Sequence, residues 1–281
     1  MFIARAHRII GMWQGVSGTA VEARMKETEP SKFYVEPSWR GLFHVSGILL
    51  VMVGAGGFVS WRLGSYLYSS GIPSNPTAYL QLISQHQFLA NLLWSNWILG
   101  DFLLIAPTIA VYLILRRYNM TLALFGTLLS MFYIIYDASI TELNSLTLVS
   151  LSQGYATATT DAARASYVGA ATYGYAALPL ETVLSFGVGA AGWLMWSLVM
   201  SKSFFGRRSA ILGIVVNAMG VIGSVSPVVA SSFALGLLNW LTAPLTAFWF
   251  IIIGTQLYRY SGHPAVGAMS SVGSAKSTAP L

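Results

Sequence analysis

The stretch that decides the fold is residues 88–150, FLANLLWSNWILGDFLLIAPTIAVYLILRRYNMTLALFGTLLSMFYIIYDASITELNSLTLVS. It holds two apolar segments, 88–115 and 120–150, joined by the polar turn 116–119. Each segment is longer than the roughly 20 residues that an α-helix needs to cross the hydrocarbon core of a bilayer. The pattern therefore predicts a hairpin of two membrane-spanning helices, with acidic residues inside both.

The composition of the whole chain agrees with this interpretation. Hydrophobic residues make up 55% of the sequence and charged residues 9%, and the mean hydropathy is +0.65. Soluble domains carry about 25% charged residues. We therefore predict an all-α, polytopic membrane protein.

Six apolar segments are predicted to span the membrane, at residues 41–61, 88–115, 120–150, 170–200, 210–233 and 237–258. Asn75 and Pro76 are typical of a helix start, and the helix that follows is amphipathic, so we expect it to lie on the membrane surface. Thr160 is expected to cap a short helix ahead of the fourth span.

The chain divides into three parts by composition. Residues 1–40 are rich in charge and form either an interfacial helix or a partly ordered cytoplasmic segment. Residues 41–260 form the six-helix bundle. Residues 261–281, rich in Gly, Ser, Ala and Pro, are expected to be disordered.

The basic residues predict the orientation. With six spans and a cytoplasmic N-terminus, 13 of the 15 Lys and Arg residues fall on the cytoplasmic side, and only Arg62 and Arg164 fall outside. Cytoplasmic loops carry an excess of Lys and Arg, so both termini are predicted to be cytoplasmic. The basic residues thus flank the spans, and nucleic acid is not an expected partner.

Four of the nine acidic residues lie inside predicted spans: Asp101, Asp137, Glu142 and Glu181. An acid at the centre of a span costs about 2.5–3.5 kcal/mol on insertion scales, so such residues usually face the interior of the bundle. Asp101 and Asp137 are roughly 16 and 19 residues from the centre of the 116–119 turn, which places them at nearly the same depth. Glu142 and Glu181 are predicted to form a second layer, closer to the outer side.

Two hypotheses follow for these acids. In the first, they form a site for a proton, a cation or a small solute, with supporting ligands among Asn96, Tyr133, Tyr136, Thr141 and Asn144. Two carboxyl groups at one level in a low dielectric would not both ionise, so at least one should carry a proton. In the second, the acids are neutral and only hold helices together through hydrogen bonds.

An enzymatic alternative rests on two short elements, Gly100-Asp101 and Tyr136-Asp137. They partly resemble the two aspartate motifs of intramembrane aspartyl proteases. Ile98 replaces the first glycine of one motif, and the two elements come in the reverse order.

No cofactor or metal site is predicted. The chain has no cysteine, which excludes disulfides and cysteine-ligated zinc or iron–sulfur centres. No predicted span carries a lysine that could hold retinal. The Trp and Tyr residues near span ends are typical of the aromatic belt at the membrane interfaces.

Several short motifs are similar to those of a prokaryotic family of six-span membrane proteins that is defined only as a domain of unknown function. They are Pro76-Thr77-Ala78-Tyr79-Leu80, Glu142-Leu143-Asn144, Leu151-Ser152, Tyr155-Ala156-Thr157-Ala158-Thr159, Arg164, Phe205-Gly206-Arg207 and Ala210-Ile211-Leu212-Gly213. The resemblance covers roughly residues 40–260. It implies a six-helix bundle and no particular activity.

The expected function is therefore that of a non-enzymatic, multi-pass protein of a prokaryotic cell membrane, with an internal acidic site. The alternative is an accessory or structural subunit of a larger membrane complex. Its expected partners are membrane lipid and either other membrane subunits or further copies of the chain.

Overall fold

The computed structural model describes residues 37–69, 71, 73–225, 228 and 233–262. After a short 3₁₀ turn at Pro37–Trp39, this part of the chain forms seven helices and no strand. The helices are α1 Arg40–Leu67, α2 Pro76–Gln85, α3 Gln87–Leu115, α4 Met120–Thr157, α5 Asp161–Met200, α6 Gly206–Ser224 and α7 Phe233–Ser261. The predictions for residues 1–36 and 263–281 lie outside the described residues.

Five of these helices are long and apolar enough to cross a membrane: α1, α3, α4, α5 and residues Leu237–Ser261 of α7. The predicted span 210–233 corresponds to α6, which has 19 residues and starts with Gly206, Arg207 and Arg208. Its two arginines and its glycines make α6 less apolar than the other long helices. The all-α class is confirmed for the described residues, and five of the six predicted spans have the length and composition of membrane-spanning helices.

The six long helices form a closed ring. Going around it, α1 packs against α3, α3 against α4, α4 against α5, α5 against α6, α6 against α7, and α7 returns to α1. The chain therefore places its first and last long helices side by side. The interior of this ring is where a polar site can be shielded from lipid.

The contact between α1 and α7 is made by glycine. A Cβ atom at Gly47 would lie 2.6 Å from the backbone nitrogen of Tyr258, and one at Gly254 would lie 2.7 Å from the carbonyl oxygen of Gly47. Only glycine leaves room for two backbones at such a separation. Close packing of small residues stabilises helix pairs in lipid, and here it closes the ring.

Side-chain caps define the helix starts at two predicted positions. Asn75 Oδ1 accepts a hydrogen bond from the backbone N–H of Ala78, and Thr160 Oγ1 accepts one from Ala163. Both caps are confirmed. However, the helix that Thr160 caps extends to Met200 and includes one π-helical turn, so the predicted short helix and the fourth span are one helix.

The short helix α2 packs against protein rather than lipid. Its buried residues Tyr79, Leu80 and Ile83 join a core cluster that includes Leu148 of α4 and Ala171 of α5. The predicted amphipathic helix is confirmed, but its apolar face is covered by the bundle. The expectation that this face rests on the membrane surface is wrong, because the longer α4 and α5 extend beside it.

Two π-helical turns interrupt the long helices α4 and α5. One covers Asp137–Thr141 and the other Val183–Gly187. A π turn accommodates one extra residue in an α-helix and occurs frequently at functional sites. Both turns lie at the level of the intramembrane acids.

Candidate functional site

Asp101 of α3 and Asp137 of α4 lie side by side inside the ring. Their exposed fractions are 1% and 0%. The Asp101 carboxyl group interacts with that of Asp137 and with the hydroxyl group of Tyr133. The structure thus brings together the two acids that the sequence predicts to lie at the same depth in the membrane.

The local geometry of α4 explains how three groups converge. Tyr133 precedes Asp137 by four residues, so both side chains point from the same face of the helix. This face is turned toward α3, and both residues are buried. Asp137 then begins the π turn, at the point where α4 departs from regular α-helical geometry.

The carboxyl oxygens of both aspartates make no hydrogen bond of ordinary length to any residue that the structure describes. The hydroxyl groups of Ser185 and Thr141 are nevertheless close enough to interact with Asp137. Ser185 belongs to the π turn of α5, and Thr141 ends the π turn of α4. Hydroxyl groups therefore lie close to the pair, and the carboxyl oxygens of both aspartates can accept further hydrogen bonds.

Glu142 and Glu181 continue the acidic cluster away from the pair. Both are buried, with 1% and 5% exposure, and Glu142 interacts electrostatically with Asp137, Asp101 and Glu181. Asn144 Nδ2 donates hydrogen bonds of 3.1 Å to both carboxyl oxygens of Glu181 and one of 3.0 Å to the carbonyl oxygen of Gly174. Glu181 is thus tied to α4.

The remaining candidate ligands, Asn96 and Tyr136, make contacts of their own, although Tyr136 also interacts electrostatically with Glu181 and Asp137. Asn96 Nδ2 donates to the carbonyl oxygen of Gly56 at 3.0 Å and to Ser60 Oγ at 2.6 Å, which links α3 to α1. Tyr136 is half-buried and stacks on the ring of Phe132. Its neighbour Tyr133, not Tyr136, is the tyrosine that reaches the aspartates.

A cavity of about 830 Å³ lies within the ring, and Asp101 is part of its wall. The cavity is lined by residues of all six long helices and extends to Ser69 and Gly71 in the α1–α2 connection. Asn96 and Tyr133 also line it, whereas Asp137, Glu142, Glu181, Tyr136 and Asn144 do not. Of the four buried acids, only Asp101 therefore contributes to the cavity wall.

Aromatic side chains form much of the wall. Five of the nine tryptophans line it: Trp61, Trp94, Trp97, Trp193 and Trp240. Four of them pack against one another or against other lining rings, as in Trp61–Trp240 with centroids 4.9 Å apart and Trp97–Phe186 at 5.6 Å. Trp61, Trp94 and Trp240 lie near the ends of their helices, where the sequence predicts an interfacial belt, and they also line the cavity. Trp97 and Trp193 lie further inside α3 and α5 and are outside that prediction.

A much smaller void lies on the other side of Leu104 and Phe250. Toward the α3–α4 turn, residues from α1, α3, α5 and α7 leave a void of only about 10 Å³, lined among others by Leu104, Pro107, Trp196 and Phe250. Leu104 and Phe250 also line the large cavity and so form its floor. The large cavity thus extends toward the α1–α2 connection, and beyond Leu104 and Phe250 the space narrows to the void of about 10 Å³.

This arrangement suits binding better than peptide cleavage. In an aspartyl protease two carboxyl groups share a proton and both must reach the substrate. Here Asp137 is absent from the cavity wall, and the oxygens of Asp101 are recessed beneath its surface. The pair can hold a proton and present a negative charge to the cavity.

Two features of the site had weak signals in the sequence. Ser185 follows Glu181 by four residues and so shares its helix face, which marks it as a neighbour of the acids. Trp97 precedes Asp101 by four residues in the same way. The π turns had no recognisable signal, because Asp137–Thr141 and Val183–Gly187 have unremarkable sequences.

Comparison with protein-family models, with curated proteins and with solved structures gives no match for this chain. A function for this chain therefore has to be inferred from its fold and from the geometry of the site.

Proposed function

We propose that the chain is a non-enzymatic, six-span protein of a prokaryotic cell membrane whose internal acidic site binds a proton together with a cation or small solute. The observation that carries this proposal is the buried Asp101 carboxyl group, which lies in the wall of a large cavity and beside a second carboxyl group. Buried acids in membrane bundles commonly mark paths for ions and protons. The prokaryotic setting rests on the resemblance of the sequence motifs.

The proposed topology has both termini on the cytoplasmic side. The α3–α4 turn carries Arg116 and Arg117, and the α5–α6 connection carries Lys202, followed by Arg207 at the start of α6. An excess of basic residues favours the cytoplasmic side. In this topology α6 is the sixth span.

The same topology places the opening of the cavity on the external side. The α1–α2 connection, which the cavity reaches at Gly71, is at the opposite end of α1 and α3 from the basic turns. The floor at Leu104 and Phe250 then separates the cavity from the cytoplasm. A solute would enter from outside and stop at Asp101.

The aspartate pair supplies the proton site. No described Lys, Arg or His lines the cavity, so two ionised carboxyl groups would repel each other without compensation. One proton shared by Asp101 and Asp137 removes this repulsion and leaves one negative charge. The hydroxyl groups of Tyr133, Ser185 and Thr141 can stabilise that charge.

Infrared spectroscopy of the protein in lipid nanodiscs tests this proposal. The wild type should show the carbonyl-stretch band of protonated carboxylic acids, with one component that Asp101→Asn or Asp137→Asn removes. That component should decrease reversibly as the pH is raised, since an internal site exchanges its proton through the cavity. Glu142 and Tyr133 also face the pair, and Glu181 interacts with Glu142, so Glu142→Gln identifies the component that belongs to Glu142.

Asp161→Asn is the matched control, because Asp161 is fully exposed at the start of α5. It should leave the band unchanged. A band that neither Asp101→Asn nor Asp137→Asn alters would contradict the proton site. A band that is assigned to the pair but does not respond to pH would instead support acids that only hold helices together.

A further inference from the structure

We infer that the solute of the cavity is a large organic cation whose charge is weakly hydrated, such as a quaternary ammonium or phosphonium ion. This inference rests on the proposed function and names the class of solute that the same site would bind. It follows from the size of the cavity, the nature of its wall and the depth of its charge.

The size of the cavity fits a molecule of many atoms. Binding sites for small organic molecules have volumes of about 300–1,000 Å³ and are mostly apolar, with a few polar groups that orient the ligand. The cavity measures about 830 Å³, its lining residues are mostly apolar or aromatic, and Asn96, Thr242 and Thr246 are among the polar ones. A bare metal ion or a single proton would not need such a space.

The wall of the cavity favours positive charge. The faces of aromatic rings attract cations, and tryptophan does so most strongly. Trp97 lies one helical turn from Asp101, and Trp193 packs edge-on against Tyr133 with centroids 5.1 Å apart. The aromatic wall and the acidic pair therefore meet at one place, and no lining residue that the structure describes carries a positive charge.

The depth of the charge separates an organic cation from a metal ion. Calcium and magnesium require direct contact with several oxygen atoms. Asp101 is 1% exposed, its oxygens are beneath the cavity surface, and no three acidic or histidine side chains within the described ranges form a metal-binding group. A recessed charge in a low dielectric instead attracts a cation without coordinating it, which suits an ion that sheds water easily.

Two ions of the same shape and opposite charge provide the test. Tetraphenylphosphonium and tetraphenylborate differ mainly in the sign of their charge, and equilibrium binding of each is measured to the protein in nanodiscs, with subtraction of protein-free nanodiscs. The protein should bind the cation saturably and show no saturable binding of the anion. Quenching of tryptophan fluorescence should follow the same isotherm, because five tryptophans line the cavity.

Two variants locate the binding. Asp101→Asn should weaken binding of the cation by about tenfold or more, as expected for loss of a charge in a low dielectric. Trp97→Leu should weaken it several-fold and leave Asp101 in place, whereas Trp39→Leu, outside the cavity, should have no effect. Thermal unfolding of each variant in nanodiscs establishes that it is folded, and Trp97→Leu keeps the test valid if Asp101→Asn does not fold.

The outcomes distinguish this inference from the function on which it rests. Saturable binding of both ions, of the anion alone, or of neither overturns the assignment to organic cations. So does cation binding that Asp101→Asn and Trp97→Leu leave unchanged. If the infrared component of the aspartate pair is nonetheless present and responds to pH, the acidic site remains and only its solute class is wrong; if that component is also missing, both proposals fail.

Discussion

Ser185 lies beside the carboxyl group of Asp137, and each of the two residues belongs to a π-helical turn of its own helix. Two irregular turns on adjacent helices thus meet at the centre of the acidic cluster. A π turn holds one extra residue within an α-helix, and such turns occur frequently at functional sites. This relationship leads to the first two predictions.

Ser185→Ala should alter the aspartate pair without unfolding the protein. The hydroxyl group of Ser185 is fully buried and lies beside Asp137, so its loss should shift the infrared component of the pair. Ser166→Ala is the control on the same helix, because Ser166 is exposed and bonds only to the carbonyl oxygen of Ala162. Identical infrared spectra for both variants and the wild type would contradict the role of Ser185.

Deleting Ser139 should be tolerated, although it removes a residue from the middle of a long helix. Ser139 is exposed within the π turn Asp137–Thr141. Removal of the extra residue lets α4 become a regular α-helix, and the side chains before and after the turn keep their orientation. The variant should fold in nanodiscs with a thermal midpoint close to that of the wild type, and it should lose the infrared component of the pair.

Deleting Leu128 is the matched comparison. Leu128 is also exposed but lies in regular α-helix, so its deletion rotates the rest of α4 by about 100° and misplaces every buried side chain beyond it. This variant should fail to fold. If both deletion variants fold, or if neither does, the π turn at Asp137 is no more tolerant of a deletion than regular α-helix, which contradicts the prediction.

Asn144→Leu should destabilise the protein. Asn144 Nδ2 donates to both carboxyl oxygens of Glu181 and to the carbonyl oxygen of Gly174, so the variant leaves buried acceptors without a donor. The cost should be about 1–3 kcal/mol in the free energy of unfolding. Thr147→Ala, on an exposed position of the same helix, should cost much less. Titration with a denaturing detergent measures both, and equal losses would argue against a structural role for the Asn144 contacts.

Gly47→Leu should weaken the contact between α1 and α7. Even a Cβ atom at this position would collide with the backbone of Tyr258, so the helices must separate, at a cost of about 1–3 kcal/mol or more. Gly169→Leu is the control, because a Cβ atom there meets nothing within 4 Å. Thermal unfolding in nanodiscs should separate the two variants clearly. An unchanged midpoint for Gly47→Leu would mean that this contact is less tight in the membrane.

Much of the fold could be predicted from the sequence because helix formation in a membrane depends on long apolar segments. The start of α2 at Asn75-Pro76 and the turn at residues 116–119 followed from residue types with strong local preferences. Counting residues from that turn also placed Asp101 and Asp137 at one depth. These are local properties, and the sequence contains them directly.

The parts that could not be predicted depend on tertiary packing. Whether Trp97 faces lipid or the interior depends on how α3 is rotated within the ring, and Asp101, one helical turn away, is only a weak indication of this rotation. The π turns could not be predicted for a similar reason. A π turn accommodates one extra residue so that the helix segments on either side both face their packing partners, and those partners are not known from the sequence. The burial of α2 depended on the lengths of α4 and α5 beyond their apolar segments.

The glycine contact between α1 and α7 has a mechanical consequence for the cavity. Two backbones that touch without intervening side chains have no room to slide or rock against each other, so the first and last long helices should move as one rigid body. Any widening of the entrance must then occur elsewhere around the circumference. We expect such a motion to displace the α4–α5 pair, with its two π turns, relative to the rigid body formed by α1 and α7.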